Sequence, residues 1–285
     1  MKKSEKNKKI VSQWFRYLRN NICNELEKME NSQFKRTTKF KRKKWTRDKN
    51  GGNSLGGGEM SILRGKVFEK AGVNISTVFG KFSENMRGKI PGTEKNSEFW
   101  ASGISVVVHP FSPKIPAIHM NTRYVITGKS WFGGGIDITP TNKTSKDSKM
   151  FAKLLHNQLK LICDSYDAKA YKKYKKWCDE YLFLPHRNES RGLGGIFYDY
   201  INSGKWEKDF EFNKSVGNCF INSYKKICDK SITIPWDNKD KAEQYVRRAR
   251  YAEFNLLHDR GTKFGLQTGG NIEAIFMSLP PLATW

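Results

Sequence analysis

Long apolar runs are missing from this chain. No stretch approaches the roughly 18 consecutive apolar residues that a membrane-spanning helix needs, and the mean hydropathy is −0.70. The opening Met1-Lys2-Lys3-Ser4-Glu5-Lys6 is basic but leads into no apolar stretch of about 7–15 residues, so no secretory signal is expected. Cysteine is scarce: Cys23, Cys163, Cys178, Cys219 and Cys228 are odd in number and never form C-x2-C. That spacing offers neither a disulfide framework nor a zinc ribbon, and closely set iron–sulfur cysteines are absent too. Buried thiols in a reducing cytoplasm are the expectation. Acidic residues are also few, 28 against 52 Lys and Arg, which leaves a net charge of +24.

Aromatic residues are plentiful. Eight Trp, 11 Tyr and 18 Phe in 285 residues exclude a disordered chain and support a sizeable core. The positive charge is concentrated: residues 1–50 hold 17 Lys and Arg against 5 Asp and Glu, half of the total surplus. The densest run, Lys35 to Lys49, interleaves Lys39, Lys41, Arg42, Lys43 and Lys44 with Phe40 and Trp45. Such a run suits a nucleic acid or another anionic surface. It suits a small acidic substrate or a merely solvated face equally well, and lysine outnumbers the more specific arginine.

Residues 8–30 repeat Val11, Trp14, Phe15, Leu18, Ile22, Leu26 and Met29 at three- and four-residue steps, which predicts an amphipathic helix. Gly51 to Gly58, with five glycines in eight residues, reads as a flexible loop or as backbone closely approached by another group. No Gly-Lys-Ser/Thr closes it, so it is no nucleotide phosphate loop. Period-two alternation then marks strands at Ile104–His109 and Ile118–Ile126, joined too tightly for a crossover helix and hence antiparallel. Trp131–Thr139 and Gly195–Ile201 read as two more strands. Helices are expected over Ser148–Cys163, Tyr171–Phe183, Trp206–Cys228 and Asp237–Arg250. The apolar run Ile275–Leu282 reads as a core strand or an interface segment. The pattern predicts α+β: one domain, residues 1–285, with an antiparallel sheet covered by helices and a basic segment of about 50 residues leading into it.

Chemistry concentrates on the second strand. His119, Asn121 and Arg123 share one face, a titratable ring, an amide and a guanidinium in a row, while Ile118, Met120 and Tyr124 face the other way. Ser105 and His109 share parity on the neighbouring strand. Asp137, between two isoleucines and after Gly133-Gly134-Gly135, is either a base whose pKa burial raises or a turn-capping residue paired with Thr139 or a backbone amide. None of the five histidines shows a short zinc spacing. A metalloenzyme of another class therefore stays only as an alternative.

Several ordered blocks carry a resemblance. They are Arg64 to Ser76, Gly103 to Pro110, His119-Met120-Asn121-Thr122-Arg123, and Trp131 to Pro140. Lys176 to Tyr181, Leu184 to Gly195, and Glu253 to Gly270 complete them. From about Trp14 to Trp285 the chain resembles the oxygen-dependent coproporphyrinogen III oxidases. The resemblance implies a large antiparallel sheet sandwiched between helices, acting as a homodimer through the segment from about Tyr251 to Trp285. It implies oxidative decarboxylation of the ring A and B propionates of coproporphyrinogen III to vinyl groups, giving protoporphyrinogen IX. Dioxygen is the acceptor and no organic cofactor takes part. Ser105, Asn121, Thr122 and Arg123 fall at substrate-binding positions, with Arg123 as a propionate clamp. His119 falls at a proton donor, and Asp137 at the group that takes or stabilises the pyrrole N–H proton. Gly269 and Gly270 match a substrate-contacting turn, continued here by Asn271 where the family often has Arg. His109, His119, His156 and His186 match positions proposed as ligands of a divalent metal in some members. A tetracarboxylate substrate also gives the basic charge a purpose, in place of nucleic acid.

Overall fold

The computed structural model describes residues 3–34, 37–48, 54–267 and 269–285. The amphipathic stripe of the N-terminus forms α1 (Lys3–Phe34), and Val11, Phe15, Leu18, Ile22 and Leu26 on one face are fully or almost fully buried. Six strands follow without a crossover: β1 (Lys41–Asp48), β2 (Ser54–Leu63), β3 (Phe68–Lys81), β4 (Glu98–Pro110), β5 (Ala117–Ile126) and β6 (Ser130–Thr139). After α2 (Lys146–Tyr166) and α3 (Ala170–Tyr181) come the short pair β7 (Phe183–Leu184) and β8 (Glu189–Ser190). Strand β9 (Gly195–Ile201) joins the far edge, giving the antiparallel order β1-β2-β3-β4-β5-β6-β9. The chain ends with α4 (Trp206–Ser231), α5 (Asn238–Leu257), α6 (Arg260–Gln267), α7 (Ile272–Phe276) and an irregular tail.

Register decides the two faces. Val106, Met120, Ile136 and Ile196 stand side by side across four strands and point into the main core, beneath α1, α2 and α4. One residue along, Asn74, Ser105, Asn121, Gly135 and Phe197 form the matching row. By the alternation of strand side chains that row belongs to the opposite face. Helix α5 crosses one end of this second face, where Tyr251 meets His109 edge-on at 5.0 Å. Helix α7 covers β2 and β3, with Met277 lying on Gly72 so closely that a Cβ there would collide. The sheet is therefore sandwiched between helices, as the α+β expectation holds. Among the described residues no helix is long and apolar enough to cross a membrane.

Strands β1, β2 and β3 and the short pair β7 and β8 were not legible in advance. The basic run forms β1 as the sheet edge; its Lys35, Arg36 and Lys49 lie outside the described residues. A lysine-rich edge strand discourages unwanted pairing with another sheet. The glycine run is no loop from Ser54 onward but part of β2, and Gly58 lies under the Trp45 ring. Its residues 51–53 lie outside the described set. At the other end Ile275–Leu282 is not the core strand that its apolar run offered: it finishes α7 and continues as a strap. Lys70 Nζ holds that strap by the Leu279 carbonyl at 2.7 Å, and His109 Nε2 holds it by the Ser278 carbonyl at 2.9 Å.

Candidate active site

Three successive odd residues of β5 face their partners on β6: His119 opposite Asp137, Asn121 opposite Gly135, Arg123 opposite Gly133. The glycines leave space for what the neighbouring strand carries. A Cβ on Gly133 would run into Asp199 Oδ1, and one on Gly134, which faces the core, would meet the Tyr198 hydroxyl at 2.8 Å. Strand β9 contributes a bulge here, because Asp199 and Tyr200 together span the single position Gly133. Tyr200 takes φ = 57° to make it.

The result is one unbroken hydrogen-bonded line. Arg191 Nη2 donates to Asp137 Oδ2. His119 Nδ1 donates to Asp137 Oδ1 at 2.9 Å, and Asn121 Nδ2 points to His119 Nε2 at 3.4 Å. Arg123 Nη1 donates to Asn121 Oδ1 at 3.1 Å and its Nη2 to Asp199 Oδ2 at 2.7 Å. Each end of the line is an arginine–carboxylate pair. With a carboxylate as its partner the His119 Nδ1 carries a proton, and Nε2 faces the Asn121 amide.

Asp137 departs from expectation. Burial pushes its carboxyl up, but Arg191 and His119 outweigh burial and hold it below the usual carboxylate range. It is only 4% exposed. Its partners are neither Thr139 nor a backbone amide, so both readings of its environment are corrected. The desolvation that the isoleucines promise is present; the sequence did not reveal the buried guanidinium that overrides it.

Above the line lies a cleft of about 700 Å³, within the roughly 300–1,000 Å³ of ligand-binding cavities. Ser105, His119, Asn121, Thr122, Arg123, Asp137, Gly270 and Asn271 border it. Thr122 has the opposite parity from its neighbours and is fully buried. Gly269, at φ = 69° in the turn before α7, does not border the cleft. Asn271 spends its Oδ1 on the N-cap of α7, accepting from Ala274 N at 2.9 Å. Two site groups were missed, Arg191 and Asp199. For Asp199 a signal existed, since it shares parity with Phe197 on the fourth strand. Arg191 sits in a loop, where no periodicity points.

The four histidines matched to metal positions stand in four different settings. His109 is buried, held down to about pKa 3 by desolvation, and bonded to the Ser278 carbonyl. His119 belongs to the line described above. His156 spans Tyr171 Oη at 3.0 Å and the Leu193 carbonyl at 2.9 Å. His186 pairs with Glu253 at 2.8 Å. Among the described residues no group of three or more His, Cys, Asp or Glu is placed to hold a metal ion. These histidines thus do not form one ligand set.

An acid–imidazole line on a rigid sheet, beneath a cleft of this size, defines an enzyme-type site built for proton handling. Residues 10–285 match the family described as Coproporphyrinogen III oxidase, and the chain belongs to that family. It is 51% identical over 286 residues to the oxygen-dependent coproporphyrinogen-III oxidase of Rickettsia bellii (strain RML369-C), covering 99% of each chain. It is 53% identical over 279 residues to the protein of the same name from Rickettsia rickettsii (strain Sheila Smith), covering 96% of this chain and 97% of that one. The relative of that name from Rickettsia akari (strain Hartford) gives the same 53%.

Proposed function

We propose that this protein is an oxidoreductase that decarboxylates the ring A and B propionates of coproporphyrinogen III to vinyl groups, with O2 as co-substrate. The observation that carries the reading is the line Arg191–Asp137–His119–Asn121–Arg123–Asp199 beneath the cleft. Each propionate must release CO2, one proton and two electrons to become a vinyl group. The reduced pyrrole is the electron-rich partner that passes electrons to O2, so no organic cofactor is invoked. The pyrrole N–H meets the Asp137–His119 end, where a fixed carboxylate stabilises positive charge on the imidazole that handles the proton. His119 then returns a proton to reduced oxygen. Arg123, steadied by Asp199, receives a propionate by a charge-assisted pair, with Ser105, Asn121 and the Thr122 and Gly270 backbones around the ring.

Arg47, Arg123, Arg191, Arg260 and Lys263 on the cleft outnumber Asp137, Asp199 and Asp259. That surplus supports a tetracarboxylate, rather than a nucleic acid, as the partner for the basic charge. We read residues 1–285 as a single domain that acts in the cytoplasm as a homodimer. Exposed Leu256, Leu257, Leu282 and Trp285 in the segment from Tyr251 to Trp285 support an interface there. The test is aerobic conversion of coproporphyrinogen III beside an anaerobic control, with product read by fluorescence after oxidation. Oxygen-dependent loss of two CO2 is expected; no turnover with oxygen present sinks the reading.

A further inference from the structure

We propose that Tyr251 and Phe254 are positioning residues that grip the Arg191 guanidinium with their ring faces and so fix Asp137 behind His119. This rests on the reading of Asp137 and His119 as the reacting pair. Arg191 Cζ lies 4.6 Å from the Tyr251 ring centroid and 4.7 Å from that of Phe254. All three residues are under 5% exposed. The two aromatics are three residues apart on α5 and therefore share one helix face.

A buried guanidinium held by a single carboxylate is costly, because most of its N–H groups lose water without gaining a partner. Arg191 Nε is such an atom, buried and without a hydrogen-bond partner among the described residues. Ring faces offset that cost where water is excluded, since their negative quadrupole attracts the cation. They also restrict rotation: the guanidinium is planar, and its faces can stack while an edge N–H reaches Asp137. The rings are themselves held. His109 meets Tyr251 edge-on at 5.0 Å, and Tyr181 meets Phe254 edge-on at 5.4 Å. The Arg191 backbone N–H is tied to the Leu182 carbonyl at 3.0 Å. Both the root and the head of the side chain are thereby located, and because both rings also border the cleft the split between kcat and KM is what separates positioning from substrate contact.

The test compares Tyr251→Leu and Phe254→Leu with two ring-retaining variants, Tyr251→Phe and trifluorophenylalanine at 254. Two readouts are taken on the full chain: steady-state kinetics, and NMR of the Arg191 side chain in 15N-arginine-labelled protein. The leucine variants are expected to lose about tenfold or more in kcat with KM within about twofold. The Arg191 signals should lose their ring-current shift. Tyr251→Phe should stay within about twofold of the parent. Trifluorophenylalanine, equal in shape but poorer in π charge, should fall between. Unchanged kcat in the leucine variants overturns the proposal, and so does a rise in KM alone, which would make the rings a substrate wall. Should the leucine variants fail to fold, parental behaviour of the fluorinated variant overturns it instead. The NMR shift decides the grip even if no porphyrinogen is turned over, so failure here and failure of the proposed function are distinguishable.

Discussion

Glu30 leaves no room for a side chain at Gly65. From the last turns of α1 its carboxylate, fully buried, accepts from the backbone N–H groups of Lys66 at 2.6 Å, Val67 at 3.0 Å and Phe68 at 2.9 Å. A Cβ on Gly65 would collide with that carboxylate. One side chain thus joins the first helix to the entrance of β3.

Replacing Glu30 with Ala should destabilise the protein by at least about 3 kcal/mol, because three N–H groups lose their acceptor at about 1 kcal/mol or more each. Gly65→Ala should also destabilise, since the carboxylate must move away. Urea unfolding of both variants checks this; a loss under 1 kcal/mol for Glu30→Ala contradicts it.

Asp137→Ala should abolish turnover and also weaken the fold, since Arg191 is left buried and unpaired, a loss of roughly 3–5 kcal/mol. Adding Arg191→Met should restore much of the stability and none of the activity. A double-mutant cycle read by denaturant unfolding and by turnover separates the two effects.

Arg123→Ala should raise KM by roughly 10- to 100-fold, the worth of a charged hydrogen bond, with kcat much less affected. Steady-state kinetics decide, and an unchanged KM removes Arg123 from propionate binding.

Acid stability should depend on Glu253. Hydrogen bonds from Arg187 pull its carboxyl down, burial pushes it up, and His186 and Trp285 add to the pull, giving about 2 against an ordinary 4.5. A depressed carboxyl contributes stability above its unfolded pKa, and that contribution is lost as pH falls from about 4.5 toward 2. Glu253→Gln should therefore melt below the parent at pH 7, with the gap closing across that window. A gap independent of pH would rule the carboxylate out as its source.

Helices and central strands were legible because their burial is one-sided and writes a period into the residues. The stripe of α1 and the alternation along β5 are local facts, and the polar face His119–Asn121–Arg123 follows from the alternation alone. Strands β1 and β2 write no such period: one is a cationic edge and the other begins with glycines, so pairing and not composition makes them strands. The family was legible too, through blocks whose order survives without any knowledge of contacts. The state of Asp137 was not. Its charge is set by Arg191, 54 residues away, and Arg123 is steadied by Asp199, 76 residues away. The sequence by itself determined which groups stand on the working face of the sheet. Only the tertiary structure decided which are charged, paired and held still, because electrostatic partners act through space across a buried, low-dielectric distance that chain separation does not measure.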